Sequence, residues 1–529
     1  MSHRTLQAPK LTPGRALNLM CGTHFCWPES LECLHTRRAQ SHSGYRTHKD
    51  RCGHHKSQHS CPEGQQPSAP IHMRQTREQK HKTHPSLTHV DHFSFANDDT
   101  FLQRFLISDE HWDKNGGPIF FYAGNEGDIT LFAENTGFMW DIAPEFKAMV
   151  VFGEHRYYGI SEPYGNRSLT VPKYSGYLTS EQALEDYVAL ISYLRFVIEG
   201  AQTSPVIVFG GSYGGMLAAW FRIKYPHIVQ GAIAASAPVR QFTDFTPCDK
   251  FGQKVTEDFA NASVSCAEVI RKSWGVINTV TANDEGLAWL SKTWKLCKPL
   301  KSKADVKTLK DYLMDVWTNL AMVDYPYPAN FLAPLPAYPV KVVCSHLTDS
   351  SLDGKDLLEE LFAGLTVYFN YTGESKCLDA DQQADARLDD QGWDFQSCTE
   401  MVMPFCYDGV KDFFEPAPWD FQDYSANCQK TWGVIPRTYM VPLMYGGWSF
   451  KAASNIVFSN GLLDPWSTGG VLWNVSQSVV AVIIPEGAHH LDLRSANPAD
   501  PPSVVEARCL EKAHITKWIQ EFKQLKGAD

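Results

Sequence analysis

The sequence predicts an α/β fold with a mostly parallel, doubly wound central sheet that is interrupted by one inserted, mainly helical, disulfide-stapled segment. Three observations support this prediction. Short apolar runs alternate with stretches of helical periodicity, the alternation stops between residues 241 and 447, and eight cysteines gather inside that interruption. Strands that alternate with helices form parallel sheets that are covered on both faces.

Six apolar runs are strand candidates. Each is apolar throughout instead of alternating with polar residues, as expected for strands that are buried on both faces. The runs are Ile119–Tyr122, Met149–Phe152, Val206–Phe209, Ala232–Ala235, Asn455–Ser459 and Val479–Ile484.

Between the strand candidates, Glu181–Ile198 carries apolar residues at helical spacing and is a predicted helix. Thr179, with Gln182 three residues later, supplies a capping box at its start. Two further helices, Val264–Val280 and Val306–Met322, are predicted inside the interruption of the strand pattern.

A chain of 529 residues is too long for one compact core. We predict an atypical leader at 1–87, the first part of the main domain at 88–240, a helical cap insertion at 241–447 and the second part of the main domain at 448–529. No run of about 18 apolar residues occurs, so no membrane span is predicted.

The predicted leader differs from the rest of the chain. Its first 84 residues hold 11 histidines and 13 lysines and arginines against 5 acidic residues, without an uninterrupted apolar stretch. No signal peptide is therefore visible there. Cys21, His24 and Cys26 would suit a metal-binding arm. The absence of apolar periodicity favours a disordered or atypical leader instead, and we predict no metal and no cofactor.

The net charge of −11 is uneven, because the basic leader leaves a strongly acidic remainder. An acidic body argues against a nucleic-acid groove, so we predict no nucleic-acid partner. The composition, 43% hydrophobic and 20% charged, is typical of a globular protein.

Eight cysteines lie between residues 248 and 428 without close C-x-x-C pairs, which favours four disulfides over a metal site. Disulfides require an oxidising compartment. Asn-x-Ser/Thr sequons, where we predict glycosylation, agree with the secretory pathway. The spacing leaves the pairing of the cysteines open. The cysteines are Cys248, Cys266, Cys297, Cys344, Cys377, Cys398, Cys406 and Cys428, and the sequons are at Asn166, Asn261, Asn370 and Asn474.

A candidate nucleophile lies where the third strand candidate runs through Gly210-Gly-Ser-Tyr-Gly214 into a predicted helix. This is G-x-S-x-G in the strand–turn–helix context of the α/β-hydrolase fold. Ser212 would occupy a tight, strained turn, with glycines that allow the adjoining backbones to approach. The backbone N–H of Tyr213 would donate to a developing oxyanion.

A second oxyanion donor is expected in the loop after an earlier strand. Gly124-Asn-Glu-Gly-Asp128 follows the first strand candidate, and we assign the donor to Gly124. An ordinary turn explains the same residues equally well.

The acid and the base are expected in that order after the serine, each beyond a strand. Asp464 lies five residues beyond the fifth strand candidate, and His489 and His490 follow the sixth. Asp464 would orient the imidazole that accepts the Ser212 proton. Adjacent residues point in different directions, so the spacing alone leaves open which histidine is the base.

At these residues the chain, from about Thr88 to Phe522, resembles the S28 serine peptidases. The resemblance implies that the first histidine, His489, is the base and that a helical cap covers the site. The matching blocks are His89–Phe95, Gly124–Asp128, Glu154–Gly159, Gly210–Trp220, Met322–Pro328, Asn460–Trp466 and Gly487–Arg494.

The family has a Pro-X carboxypeptidase branch and a dipeptidyl peptidase II branch. Met216–Trp220, Asn370–Gly373 and Thr399–Cys406 resemble the first branch, whereas Asn497–Arg508 resembles the second. We therefore expect an exopeptidase that releases the C-terminal residue after a proline, with release of N-terminal X-Pro dipeptides as the alternative. The resemblance implies peptide substrates and a lysosomal or secreted protein, and it allows a homodimer.

Two other hypotheses stay open. The same scaffold serves lipases and esterases, and an inactive hydrolase fold can act as a binding module. The presence of all three triad residues argues against the inactive module.

Overall fold

The structure, a computed structural model, describes residues 81–382, 384, 388, 390–447 and 449–527. Residues 1–80 of the predicted leader, with its candidate metal ligands, lie outside the described residues. The first strand begins at Lys82, ahead of the position 88 at which the sequence predicts the main domain to start.

Within the described residues, eight strands form one sheet and two short strands pair as a separate hairpin. The sheet contains β1 to β6, β9 and β10, and the hairpin contains β7 and β8. The strands are β1 Lys82–His89, β2 Thr100–Ser108, β3 Ile119–Ala123, β4 Met149–Gly153, β5 Val206–Gly211, β6 Gly231–Ala235, β7 Ala329–Asn330, β8 Pro334–Leu335, β9 Ile456–Gly461 and β10 Val479–Ile484.

The order across the sheet is β1-β2-β4-β3-β5-β6-β9-β10. In the described chain, β2 pairs antiparallel with both β1 and β4, and the other neighbouring strands pair in parallel. All six strand candidates are found, and the predicted mostly parallel sheet is confirmed. The arrangement is that of the α/β-hydrolase fold.

Helices cover both faces of the sheet and fill the chain between β6 and β9. They are α1 Ile129–Asn135, α2 Gly137–Phe146, α3 Pro172–Ser175, α4 Ser180–Val197, α5 Tyr213–Lys224, α6 Lys250–Ala262, α7 Val264–Val280, α8 Asp284–Thr293, α9 Lys303–Met322, α10 Pro339–Cys344, α11 Gly354–Phe369, α12 Asp390–Ser397, α13 Phe421–Trp432, α14 Met440–Met444 and α15 Pro502–Gly527.

The two faces of the sheet bury alternate residues of the same strands, because successive strand side chains point to opposite sides. Phe120 of β3 belongs to the core formed with α2 and α15, which contribute Phe138 and Trp518. Phe121 belongs to the core formed with α4 and α5, where Tyr187 packs on its ring. The sheet is therefore doubly wound.

The start of α4 follows its sequence signal. Thr179 is the N-cap, and its hydroxyl accepts a hydrogen bond from the backbone N–H of Gln182. This contact satisfies one of the N–H groups that a helix leaves without an intrahelical partner. The predicted helices at α7 and α9 are found as well.

The chain between β6 and β9, called the helical segment below, contains α6 to α14 and supplies no strand to the eight-stranded sheet of the described residues. Its cysteines are disulfide-bonded, which confirms the predicted bonds and supplies the pairing. In the described chain the pairs are Cys248–Cys406, Cys266–Cys344, Cys297–Cys377 and Cys398–Cys428.

None of the described helices combines the length and the apolarity that a membrane crossing requires.

Candidate active site

Ser212 lies between the end of β5 and the start of α5, with φ 58° and ψ −128°. Residues other than glycine rarely adopt these backbone angles, so the turn is strained. Two backbone hydrogen bonds hold it. The N–H of Ser212 donates to the oxygen of Ala235 at 3.0 Å, and its carbonyl accepts from the N–H of Met216 at 3.0 Å.

The glycines of this turn are required by close backbone contacts. A Cβ atom on Gly210 would lie 2.0 Å from the oxygen of Gly214, and one on Gly214 would lie 2.7 Å from the oxygen of Ala123. Larger residues would push the strand and the helix apart, and the half-buried position of Ser212 at the cavity would be lost.

Asp464 and His489 form a buried pair. His489 Nδ1 lies 2.8 Å from Asp464 Oδ2, and Asp464 Oδ1 accepts from the N–H of Trp466 at 3.0 Å. Since a carboxylate only accepts, Nδ1 carries the proton, and Nε2 of the neutral ring is an acceptor. The backbone of His489 is fixed as well, because its N–H donates to Met322 and its carbonyl accepts from the Tyr325 hydroxyl.

The loops that carry this pair meet at two glycines. A Cβ on Gly461 would lie 2.2 Å from the oxygen of Gly487, and that oxygen also accepts from the N–H of Leu463 at 2.9 Å. The loops after β9 and β10 therefore pack backbone to backbone. This contact brings the carboxylate of one loop to the imidazole of the other.

The neighbouring histidine, His490, has different surroundings. Its N–H donates to the Ser236 hydroxyl at 2.8 Å, and its ring packs edge-on against Phe331 and lies beside Gly211. Burial lowers the pKa of His490 well below its usual range. Of the two adjacent rings, it is that of His489 which bonds Asp464.

Ser212 and His489 line one cavity of about 220 Å³. The residues that follow strands of the sheet differ from those of the helical segment. The former supply most of the polar groups of the cavity, and the latter supply an apolar wall. The first group includes Asn125, Glu126, Tyr213 and Trp466, and the second includes Met322, Phe331, Leu332, Leu388, Trp393 and Met403.

The two predicted oxyanion donors differ. Tyr213 is the first residue of α5, so its N–H has no acceptor within the helix. The N–H of Gly124 already donates to the oxygen of Gly153 at 3.0 Å, which contradicts the donor role assigned to Gly124 from sequence. The next residue of the same loop, Asn125, lines the cavity beside Ser212.

A buried polar network behind Tyr213 was missed from sequence. The Tyr213 hydroxyl contacts His155 Nε2 at 3.0 Å, and His155 Nδ1 lies 2.7 Å from the carbonyl oxygen of Arg156. Burial lowers the pKa of His155 to about 4, so the ring is neutral. Because Nδ1 must donate to the carbonyl, Nε2 accepts from the Tyr213 hydroxyl.

The same hydroxyl accepts from Gln396 Nε2 at 2.9 Å. Gln396 also donates to Glu400 Oε1 at 3.1 Å and accepts from the Tyr158 hydroxyl at 2.6 Å. These residues come from distant parts of the chain. Their only sequence signal was that all of them except Gln396 lie in segments that carry the family resemblance.

Two further kinds of site were considered from sequence, metal sites and glycosylation sites. Among the described residues, no three His, Cys, Asp or Glu side chains are arranged to hold a metal ion. The sequon asparagines Asn166, Asn261 and Asn474 are exposed, and Asn370 is half-buried.

Comparison with known proteins adds to this geometry. The family model described as "Serine carboxypeptidase S28" matches residues 88–511. The chain is 53% identical to lysosomal Pro-X carboxypeptidase of Bos taurus, over 82% of this chain and 87% of that protein. It is 52% identical to lysosomal Pro-X carboxypeptidase of Homo sapiens, over 83% and 88%. It is 46% identical to prolyl carboxy peptidase like protein 5 of Caenorhabditis elegans, over 82% and 89%.

Proposed function

Because this chain belongs to the serine carboxypeptidase S28 family, we propose that it removes the C-terminal amino acid from peptides in which that residue follows a proline. The observation that carries the proposal is the cavity lined by both Ser212 and His489, whose ring is bonded by Asp464. The names of the relatives that are about half identical over most of the chain support the proline specificity.

In the proposed mechanism, Ser212 Oγ attacks the prolyl carbonyl carbon while His489 Nε2 accepts its proton. Asp464 holds the other ring nitrogen and stabilises the imidazolium that forms. The N–H groups of Tyr213 and Asn125 would stabilise the oxyanion. His489 then protonates the leaving amine, and water hydrolyses the acyl-enzyme with His489 again as the base.

The cavity wall supports the choice of substrate. A proline ring is small and apolar, and Phe331, Trp393 and Met403 of the helical segment offer a matching surface. Binding in a cavity of this size favours the end of a peptide over the middle of a long chain. These features suit an exopeptidase better than a lipase.

One observation favours the alternative, release of N-terminal X-Pro dipeptides. Histidine aside, the charged residues that line the cavity in the described chain are both acidic, Glu126 and Asp315. A free α-amine is bound by carboxylates, whereas a free carboxylate requires a cation or N–H donors.

Blocked peptides distinguish the two activities. We expect a peptide ending in Pro-Phe to lose its terminal phenylalanine, and amidation of the C-terminus to stop the cleavage. Acetylation of the N-terminus should leave the rate unchanged. The opposite pattern, measured by mass spectrometry of the products, supports the dipeptidyl peptidase. If neither form is cleaved while an acyl ester is hydrolysed, the peptidase proposal is wrong.

We also propose that residues 241–447 form a cap domain inserted between the two parts of the hydrolase domain, 88–240 and 448–529. Limited proteolysis at the two junctions should separate the cap as one unit, because its disulfides are internal to residues 241–447, and pieces cut within it should come apart only on reduction. The disulfides and the names of the lysosomal relatives support a lysosomal or secreted protein. Glycans at the four sequons and pairing as a homodimer are part of the same proposal, to be tested by glycosidase digestion and sedimentation.

A further inference from the structure

A buried hydrogen-bond chain connects Glu400 with the residue that follows Ser212. The side-chain nitrogen of Gln396 donates both to Glu400 Oε1, at 3.1 Å, and to the Tyr213 hydroxyl, at 2.9 Å. Gln396, Glu400 and Tyr213 are all essentially inaccessible to solvent. The two donors of one amide are thereby shared between a carboxyl group and the first residue of α5.

Glu400 is held at the start of α4. Its Oε1 accepts from the backbone N–H of Ser180 at 2.7 Å, and its Oε2 contacts the Ser180 hydroxyl at 2.9 Å. Within the described residues, no lysine or arginine forms an ion pair with this carboxyl group. Burial raises the pKa of Glu400 to about 7, and it outweighs the hydrogen bonds from Ser180 and Gln396, which lower the pKa.

The groups that face Glu400 come from four elements. From α4, Glu181 raises the pKa of Glu400 further by its negative charge. At the end of α14, the Tyr445 hydroxyl contacts the Ser180 hydroxyl at 2.9 Å. Burial keeps the pKa of Tyr445 well above its usual value. Gln396 of α12 is neutral, and α5 contributes Tyr213.

Three further titratable groups surround this set. Lys224 of α5 lies 5.7 Å from the centroid of the Tyr445 ring. His155, beyond Tyr213, is neutral because burial lowers its pKa to about 4. Arg437 lines the same cavity as Glu400. None of these groups is among the main influences on the pKa of Glu400, which burial raises.

The cavity gives Glu400 a route to solvent protons. It has a volume of about 560 Å³ and is lined by Thr179, Phe395, Glu400 and Arg437, among others. A buried acid beside such a space can exchange its proton without unfolding of the chain.

We propose that Glu400 is a positioning residue that, while neutral, holds the Tyr213 end of the nucleophile turn through Gln396, and that its ionisation slows attack by Ser212. The inference rests on the proposed function in one respect, that Ser212 is the nucleophile. A negative charge on Glu400 would destabilise the oxyanion that forms beside the Tyr213 N–H in the transition state.

The sign of the pH effect follows from the direction of the shift. An acid with a raised pKa keeps its proton to higher pH, so the fast form of the enzyme is present below pH about 7 and is lost above it.

The test is the rate at which a fluorophosphonate probe labels Ser212 between pH 5 and pH 9, corrected for spontaneous decay of the probe. We expect the wild-type rate to fall by at least about threefold as the pH passes the titration of Glu400. Glu400→Gln keeps an uncharged group of the same shape, so its rate at pH 6 should match the wild type and should persist at pH 8.

A matched control is Asp258→Asn in α6. Burial also raises the pKa of Asp258, to about 8, but this residue is not part of the network. The control should retain the alkaline fall of the wild type. An Asp258→Asn profile that flattens like that of Glu400→Gln, or a Glu400→Gln profile that still falls, overturns the inference.

Infrared difference spectra provide a second measurement if Glu400→Gln does not fold. One of the protonated carboxyl bands of the wild type should disappear with the same midpoint as the labelling rate, and the lack of any band with that midpoint overturns the inference. Labelling needs no peptide, so failure to cleave proline peptides would refute only the proposed function. Normal labelling without an alkaline fall would refute only the role of Glu400.

Discussion

The sheet and the helical segment of this protein are stabilised by different means. The sheet combines continuous strand pairing with strands that are buried on both faces, as in β3 and β5. The helical segment contains the four disulfides whose two cysteines are both described. Parallel strands are stabilised by pairing and by burial of both faces, whereas a disulfide stabilises a folded region mainly by restricting its unfolded chain.

The same two regions also divide the active site. Ser212, Asp464 and His489 each lie just after a strand of the sheet, and the apolar cavity wall comes mainly from the helical segment. The comparison suggests that bond cleavage depends on the sheet and substrate selection on the helical segment. Substitutions in the sheet should therefore change kcat, and those in the cavity wall of the segment should change KM or stability, whereas Glu400 is the proposed exception because it acts on the nucleophile turn.

The largest expected effect is on the nucleophile itself. Ser212→Ala removes the attacking oxygen, and we expect kcat for a Pro-Phe peptide to fall by at least about 10⁴-fold with unchanged thermal unfolding. Ser345→Ala, at an exposed serine of the helical segment, is the control and should retain activity. Residual activity within tenfold of the wild type would exclude Ser212 as nucleophile.

A smaller effect is expected from the turn that presents the nucleophile. Gly210→Ala places a Cβ 2.0 Å from the oxygen of Gly214, so strand and helix must move apart. We expect kcat to fall by about 100-fold, since small displacements of reacting groups cost about this much. Gly176→Ala is the matched control, because its Cβ would meet nothing within 4 Å. Equal kinetics of both variants would contradict the close packing of the turn.

A stability effect is expected in the helical segment. Replacing Cys297 and Cys377 together by serine removes one disulfide with a sequence separation of 80. The free energy of unfolding of this region should fall by about 2–4 kcal/mol, as measured by urea denaturation, while kcat stays within a factor of two to three of the wild type. A large loss of kcat in the folded variant would show that the two regions are not separable in this way.

The smallest expected effect is a change of stability with pH, caused by a buried acid of α15. Glu511 of α15 is buried, and burial together with the charge of Asp492 raises its pKa well above the ordinary value of 4.5. The folded protein then holds a proton that the unfolded chain releases, so stability is lost as the pH rises from about 4.5 into the neutral range.

Glu511→Gln removes this dependence. The variant should gain in melting temperature relative to the wild type at pH 7, and the gain should vanish near pH 4, where both chains are neutral at this position. A gain that is constant with pH would mean that packing, and not protonation, is responsible.

The sequence predicted the parts of the fold that depend on local pattern. The six buried strands were found because they are continuously apolar, and α4 because its capping residues stand at the expected spacing. Strands β1 and β2 were missed because β1 is mostly exposed and β2 alternates, so neither resembles a buried parallel strand.

Within the candidate site, the sequence predicted residues that belong to recognisable turns. Gly124 was wrongly predicted as an oxyanion donor, because the sequence alone cannot show that its N–H donates to Gly153 of the neighbouring strand. Gln396 and Glu400 were missed because their partners, Tyr213 and Ser180, lie about 200 residues away in the chain, and no local pattern indicates such contacts. The choice between the two histidines came from resemblance alone.

The Cys248–Cys406 bond joins the chain just after the sheet to the loop that carries Met403, one of the residues of the cavity wall. Glutathione at cytosolic levels keeps such bonds open. A copy of this chain that folded in the cytosol would retain its serine, histidine and aspartate. It would lack the disulfide that anchors the loop carrying Met403 of the cavity wall. Binding of the substrate, and not the geometry of the triad, is therefore expected to depend on the redox state of the surroundings.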